Sequence, residues 1–271
     1  MELQLSHKPR LFAAIENLAE GMDAISLAEL PKNNQMDRFD KKYIFQAGLI
    51  PEFLEKAAKQ YVILESSETR IFRYTSDYYD TPAFAMYTHH HNGKKNRYKI
   101  RVREYLDSGD KFLELKHKNN RSFTRKKRIA YFDDFPLSTT EGHDFIRKNT
   151  NVDPASLQYA LTTRYKRITL VNKNKTERIT IDFNLHLSTL TNQVKLENLA
   201  IAEIKSNDRH FRSQFNQQLR LHRIKQEKFS KYCVGMALLI RDVKNNLFKE
   251  KIQKIKKIEH EPIVFSHQSS F

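Results

Sequence analysis

The chain is poor in the residues from which nucleotide-binding loops are usually built. Only six glycines occur in 271 residues, at positions 21, 48, 93, 109, 142 and 235, and none falls in a phosphate-loop or dinucleotide fingerprint. If such a chain binds phosphates, it must do so with side chains rather than backbone amides. Cysteine occurs once, as Cys233, which excludes an internal disulfide and fits a reducing compartment. The apolar setting of that residue (YCVGMALLI) reads as that of a buried structural thiol rather than a nucleophile. No apolar run approaches the ~20 residues a bilayer-spanning helix needs, and the first residues lack the basic-then-apolar order of a secretory signal. The expectation is a cytoplasmic protein with no membrane segment of its own. Acidic residues are also scarce: 32 Asp and Glu face 48 Lys and Arg, a formal charge of +16. That balance predicts an acidic partner, whether nucleic acid, a membrane surface or a phosphorylated small molecule.

What the chain has instead is a repeated alternation of cations with apolar residues. In residues 96–105 (NRYKIRVREY), Arg97, Lys99, Arg101 and Arg103 share one parity, while Tyr98, Ile100 and Val102 share the other. Alternate side chains of a strand point to opposite faces, so the pattern writes a cationic face opposite an apolar one. The same pattern recurs in 112–118 (FLELKHK), 124–131 (TRKKRIAY), 165–171 (YKRITLV) and 178–184 (RITIDFN). For one strand alone, cations facing solvent would be an ordinary finding. Several such faces in one domain repel each other unless they surround something strongly anionic. The repetition therefore points to a polyanion site, and about eight antiparallel strands with inward cations can close into a barrel with a charged interior.

With 39% hydrophobic residues the chain can build a substantial core. Apolar residues at helical spacing make 1–35 an amphipathic helical cap, broken at Gly21. Residues 36–241 form the main domain, with a first strand over 37–45, a helix over 51–61, a strand over 69–79 and a loop at the His89-His90-His91 tract. A hairpin turn is expected at 107–110, helices over 139–149, 209–221 and 229–241, and a basic tail, frayed at its end, over 242–271. Neither an internal repeat nor a low-complexity linker divides the chain.

Read in order, certain motifs carry a resemblance. They are DRFDKKY at 37–43, YYDT at 78–81, RYKIRVR at 97–103 and FLELK at 112–116, followed by YKR at 165–167, RITID at 178–182, AEIK at 202–205 and FSKY at 229–232. Together these motifs resemble the catalytic domain of the vacuolar transporter chaperone (VTC) proteins, a polyphosphate polymerase branch of the triphosphate tunnel metalloenzymes. The resemblance covers about residues 25–239. It implies an α+β fold: a closed antiparallel eight-stranded β-tunnel with flanking helices. Inside it, the γ-phosphoryl group of ATP or another nucleoside triphosphate would be transferred to a growing polyphosphate chain.

By motif, the resemblance makes Lys42, Arg101, Arg103, Lys116, Lys126, Arg167, Arg178 and Lys231 phosphate ligands, with Arg38, Lys99 and Lys205 as further substrate-binding cations. Tyr165 and Ser230 would be supporting hydrogen-bond donors. Glu203 would hold Mn²⁺ or Mg²⁺, assisted by Glu114. Tunnel triphosphatases carry two acids followed by Lys at alternate positions of the first strand, whereas this chain has Arg38, Asp40 and Lys42. Exchanging an acid for a cation favours polymerisation over hydrolysis. A tunnel triphosphatase and a non-catalytic polyphosphate or nucleotide receptor remain as alternatives. A nucleic-acid-binding protein is disfavoured, because no helix-turn-helix, zinc spacing or RNP aromatic motif is visible. Eukaryotic relatives add a phosphate-sensing region and transmembrane helices, so any coupling to transport here would need a separate membrane partner.

Overall fold

The computed structural model describes residues 7–30, 39–120, 124–132, 137, 139–210 and 212–260. The chain opens with helix α1 (His7–Glu20), whose Leu11, Ile15 and Ala19 recur every fourth residue and are buried. After the turn at Gly21 the chain does not resume a helix. Residues 24–26 form the short strand β1 (Ala24–Ser26), which runs parallel to β3 (Tyr61–Glu65). Between them lie β2 (Phe39–Gln46) and helix α2 (Ile50–Ala57), which starts with Pro51 in its first turn. The helix expected to reach residue 61 ends earlier, because the β-branched and aromatic run YVILE pairs with another strand.

The remaining strands are β4 (Phe72–Asp80), β5 (Arg97–Tyr105), β6 (Lys111–Lys118), β7 (Thr124–Ala130), β8 (Gln158–Asn172), β9 (Glu177–Ser188), β10 (Gln193–Leu196) and β11 (Leu199–Ser206). Eight of them form one antiparallel path in the order β2-β11-β9-β8-β4-β5-β6-β7. The fold is α+β; the main path has the eight strands expected, but β1, β3 and β10 pair alongside it and bring the sheet to eleven. The expected closure into a tunnel is not made by hydrogen bonds, since β2 and β7 share no ladder among the described residues. Two features account for the open seam. The free edge of β2 is occupied by the segment around Gln226, through a bridge to Tyr43 and a 2.8 Å bond from Glu227 N to the Lys42 carbonyl. On the other side, β7 exposes Thr124 to Arg128 in succession, and a row of cations on an edge strand opposes further pairing. The sheet nevertheless curls, so that Lys116 of β6 comes within electrostatic reach of Glu203 on β11 and Lys42 on β2, strands at the far side of the path.

Helices cover the outer, apolar parity of this sheet. Helices α1, α2 and α5 (Gln214–Leu221) bury Ile168, Leu170, Ile179, Ile181, Ala202 and Ile204. Helix α4 (Thr140–Asn149) backs Ile100, Val102, Leu113 and Leu115. Helix α6 (Lys231–Leu239) is apolar on all sides and packs into one end of the curled sheet, against Leu161, Leu185 and Tyr78. The basic tail expected to fray contains helix α7 (Lys249–His260), which buries Ile255 and Ile258 in the same cluster.

The histidine tract is not a loop. His89 to His91 form the last turn of helix α3 (Ala85–His91), and His91 is buried, with its Nε2 accepting from Leu247 N at 3.4 Å. The start of that helix is fixed by fully buried Asp80, whose carboxylate accepts from the backbone amides of Thr81, Met86 and Tyr87 and from the Tyr232 hydroxyl of α6. One side chain thus joins β4, α3 and α6. Replacing it in Asp80→Ala leaves these buried donors unpaired, and urea denaturation should show a loss of about 3 kcal/mol.

Candidate phosphate-binding face

The register brings the cations of separate strands onto one face. Across the sheet Lys42 lies opposite Glu203, which lies opposite Thr180. Elsewhere Tyr78, Arg101, Glu114 and Arg128 form one cross-strand row, and Lys99, Lys116 and Lys126 form the next. All belong to the concave parity, opposite the helix-covered one.

Three carboxylates hold this face together. Glu114, 2% exposed, accepts from Arg101 Nη2 at 2.5 Å and Nε at 2.8 Å and pairs with Lys126. Asp182 accepts from Arg167 Nε at 2.5 Å and Nη2 at 2.9 Å and from Lys231 at the start of α6. Glu203 pairs with Lys42 at 2.6 Å and lies 3.9 Å from Lys205. Burial alone would raise all three acids, but the cations prevail. Arg101, Arg103 and Lys126 hold Glu114 at about 2, Lys42 and Lys205 hold Glu203 at about 2, and Arg167 and Lys231 keep Asp182 far below its ordinary value.

The other expected ligands fill in around these clusters. Arg103, 8% exposed, donates to Ser76 Oγ at 3.1 Å and lies 5.5 Å from the Tyr74 ring. Lys99 donates to Ser230 Oγ at 2.6 Å, and the same oxygen caps α6 by accepting from Cys233 N. Tyr165 contributes its ring: it stacks on Tyr74 at 5.3 Å beneath Arg167 and Lys231, while its buried hydroxyl has no partner among the described residues. Half-buried Arg178 pairs across the ladder with Lys205. Lys116 keeps an open surface on the concave face, where burial and then Lys99 bring its ammonium down to about 8. Arg38 lies outside the described residues. The surplus of cations over acids leaves the face strongly positive, with exchangeable internal counter-ions where an anion would bind.

Three participants were not assigned from the sequence. Asp182 stands in the RITID motif two parity steps after Arg178, a spacing that could have revealed it. Tyr78 shares a small cavity with Lys99, Arg101, Glu114, Lys116 and Lys126, and its hydroxyl accepts from Arg101 Nη1 at 2.9 Å. Burial opposes ionisation of this phenol, yet Arg101, Arg103 and Lys99 draw it down to about 8. His90 approaches the same cations from α3. Burial, then Lys99, Arg97, Lys116 and Lys118, keep it neutral, and its buried Nδ1 has no partner among the described residues.

Among the described residues no three His, Cys, Asp or Glu side chains converge as a metal cage. Mg²⁺-like ions commonly take one or two carboxylates, retain waters and complete their shell with substrate phosphates. Glu203 fits that partial role, since one of its oxygens carries both cation contacts. Glu114 does not offer the same freedom, because it is engaged by a guanidinium and an ammonium.

Fold and face together define a cation-lined α+β protein built on a curled antiparallel sheet. The chain belongs to the VTC domain family, whose model matches residues 37–240. Among solved structures it is similar to a candidate adenylate cyclase from Vibrio parahaemolyticus, at 13% identity over 72% of this chain and 94% of that one, with a TM-score of 0.43. It is also similar to a candidate adenylyl cyclase from Hippeastrum described as having a dominant triphosphatase activity, at 10% identity over 76% and 97%, with a TM-score of 0.44. A protein of Pyrococcus horikoshii aligns at 13% identity over 73% and 95%, with a TM-score of 0.41. No curated protein sequence matches the chain. Among the described residues no helix is long and apolar enough to cross a membrane.

The depressed acids make stability depend on pH. A carboxyl held at about 2 when folded and near its ordinary 4.5 when unfolded stabilises the protein above about pH 4.5, and that contribution disappears as pH falls towards 2. Glu114→Gln should flatten this part of the stability profile and cost about 3 kcal/mol at pH 7, because two cations lose their buried partner. Urea midpoints measured from pH 7 to pH 3 would test this.

Proposed function

We propose that the protein is a metal-dependent polyphosphate polymerase that transfers the γ-phosphoryl group of ATP, or another nucleoside triphosphate, to a polyphosphate or orthophosphate acceptor. The observation that carries this reading is the single concave face on which Lys42, Arg101, Lys116, Arg167 and Lys231 meet. Membership of the VTC domain family supports it.

Phosphoryl transfer passes through a loose transition state with charge spread over three equatorial oxygens, so positioning and electrostatic neutralisation account for most of the catalysis. The guanidinium groups of Arg101 and Arg167 now grip carboxylates through two nitrogens, a geometry they can offer equally to a phosphate. Lys42, Lys116 and Lys231 supply point charges along the chain of phosphates. The acceptor is itself a deprotonated phosphate, so no general base is required. A divalent ion, Mn²⁺ or Mg²⁺, held by Glu203 and the substrate's own phosphates, would neutralise charge at the transferred group. In the sequence, Arg38 stands where tunnel triphosphatases carry an acid, and this supports polymerisation over hydrolysis.

Incubation with ATP and Mn²⁺ or Mg²⁺ should give long-chain polyphosphate on a gel; orthophosphate as the sole product would support a triphosphatase instead. Arg101→Ala should raise the barrier by about 2–4 kcal/mol, measured as kcat/KM. Glu203→Gln should abolish turnover while calorimetry shows tripolyphosphate affinity only modestly changed. Near-normal activity of this variant at limiting Mn²⁺ would return Glu203 to a purely ion-pairing role.

A further inference from the structure

Toward the first residues of β4 the concave face changes character. Its inward side chains there are aromatic, and they border a cavity of about 340 Å³, within the size range of small-molecule sites. Tyr74 packs against Tyr105 at 5.0 Å between ring centroids, Tyr105 meets Phe112 edge-on at 5.8 Å, and the Arg128 guanidinium lies 4.3 Å above the Phe112 ring. These groups line one side of the cavity with three rings set at steep angles to one another, 59° and 85°, and with one planar cation over the last of them.

The turn that joins β5 to β6 borders the same cavity and carries acids rather than surplus cations. Asp107 is tied to the backbone amide and Nε of Arg73 at 2.6 and 2.7 Å, and Asp110 accepts from Ser108 Oγ at 2.7 Å. A phosphate chain would be repelled by this turn and gain nothing from the rings. The wall nonetheless runs without interruption into the phosphate-binding cations, because Arg103 and Arg167 lie 5.5 and 5.1 Å from the ring of Tyr74.

The cavity and the cationic face are therefore joined end to end: an aromatic, nearly neutral chamber and then a strongly positive one. A nucleoside triphosphate has the complementary polarity, a planar heteroaromatic base at one end and a polyanion at the other. The geometry points to this cavity as the seat of the donor's nucleobase. The base lodges among Tyr105, Phe112 and Arg128, against the face of one aromatic ring or of the guanidinium and the edge of another, and the phosphates run past Tyr74 to Arg103 and Arg167. The inference rests on the reading that the cationic face takes the donor's phosphates, and it adds both a base site and a direction. It also gives carbonyl and carboxylate oxygens of the 107–110 turn a role as acceptors for exocyclic amino groups.

The test compares ATP with inorganic tripolyphosphate, which lacks a base, by calorimetry on the full chain and on the variants Arg128→Ala and Phe112→Ala. Stacking of this kind predicts that each variant weakens ATP about tenfold and tripolyphosphate less than about twofold. Arg128 is on an exposed edge strand, so Arg128→Ala reports on the site even if Phe112→Ala disturbs the sheet. Equal losses for the two ligands would make these residues part of the phosphate field and overturn the base site, as would no loss for either. Failure of the unaltered protein to bind tripolyphosphate would be a different result, removing the phosphate reading and the base site with it.

Discussion

Everything on the concave face depends on a balance between like charges. Cations from seven strands and one helix are brought onto one face, an arrangement that the hydrophobic core beneath could not sustain against unscreened repulsion. Glu114, Asp182 and Glu203 resolve the conflict, each placed between two cations and each drawn far into its ionised form. They do more than lower the repulsion. By gripping Arg101 and Arg167 through paired nitrogens they hold the guanidinium planes in position before any ligand arrives, which reduces the ordering cost of binding.

The Asp182 cluster extends the same logic to tertiary structure. Its second cation, Lys231, begins α6, and Ser230 just before it receives Lys99 of β5. The polar start of an otherwise apolar helix is thereby fixed to strands on both sides of the sheet. Asp80 secures the same helix through Tyr232. Beneath the open seam, the segment at 226–227 covers the edge of β2, and Glu227 pairs with Lys254 of α7. The carboxyl-terminal helices thus complete the architecture that the strands alone leave unfinished.

Much of this was legible in the sequence because strand parity is a local property. The alternation in RYKIRVR is enough to put Arg101 and Arg103 on one face and Ile100 and Val102 on the other, whatever the strand pairs with. What depends on partners was not legible. The seam between β2 and β7 stays open because residues almost two hundred positions away occupy the edge of β2. The histidine tract looked like a loop because its turn-forming neighbours Asn92 and Gly93 follow a short helix that is started by Asp80 from the preceding strand. The tail beyond residue 245 looked unpartnered because Ile255 and Ile258 find their apolar contacts only in the assembled fold. Asp182 was written in the right place, but a single acid among cations reads as a charge and not as the hinge of a network.

The two-sided strands have a consequence for how such a protein can change over generations. Two of the three apolar clusters lie on the outer parity, under helices α1, α2, α4 and α5, while the inner parity carries the cations and, under α6, the third. A substitution at an exposed inner cation such as Lys116 therefore leaves the outer apolar clusters untouched, whereas one at Glu114, Asp182 or Glu203 strands its cation partners. Because the charge of this face comes from side chains and not from a glycine-shaped backbone loop, it can be altered one residue at a time. A lineage carrying this scaffold can change the charge pattern of the inner face in steps, as long as each step keeps the carboxylates that hold its remaining cations.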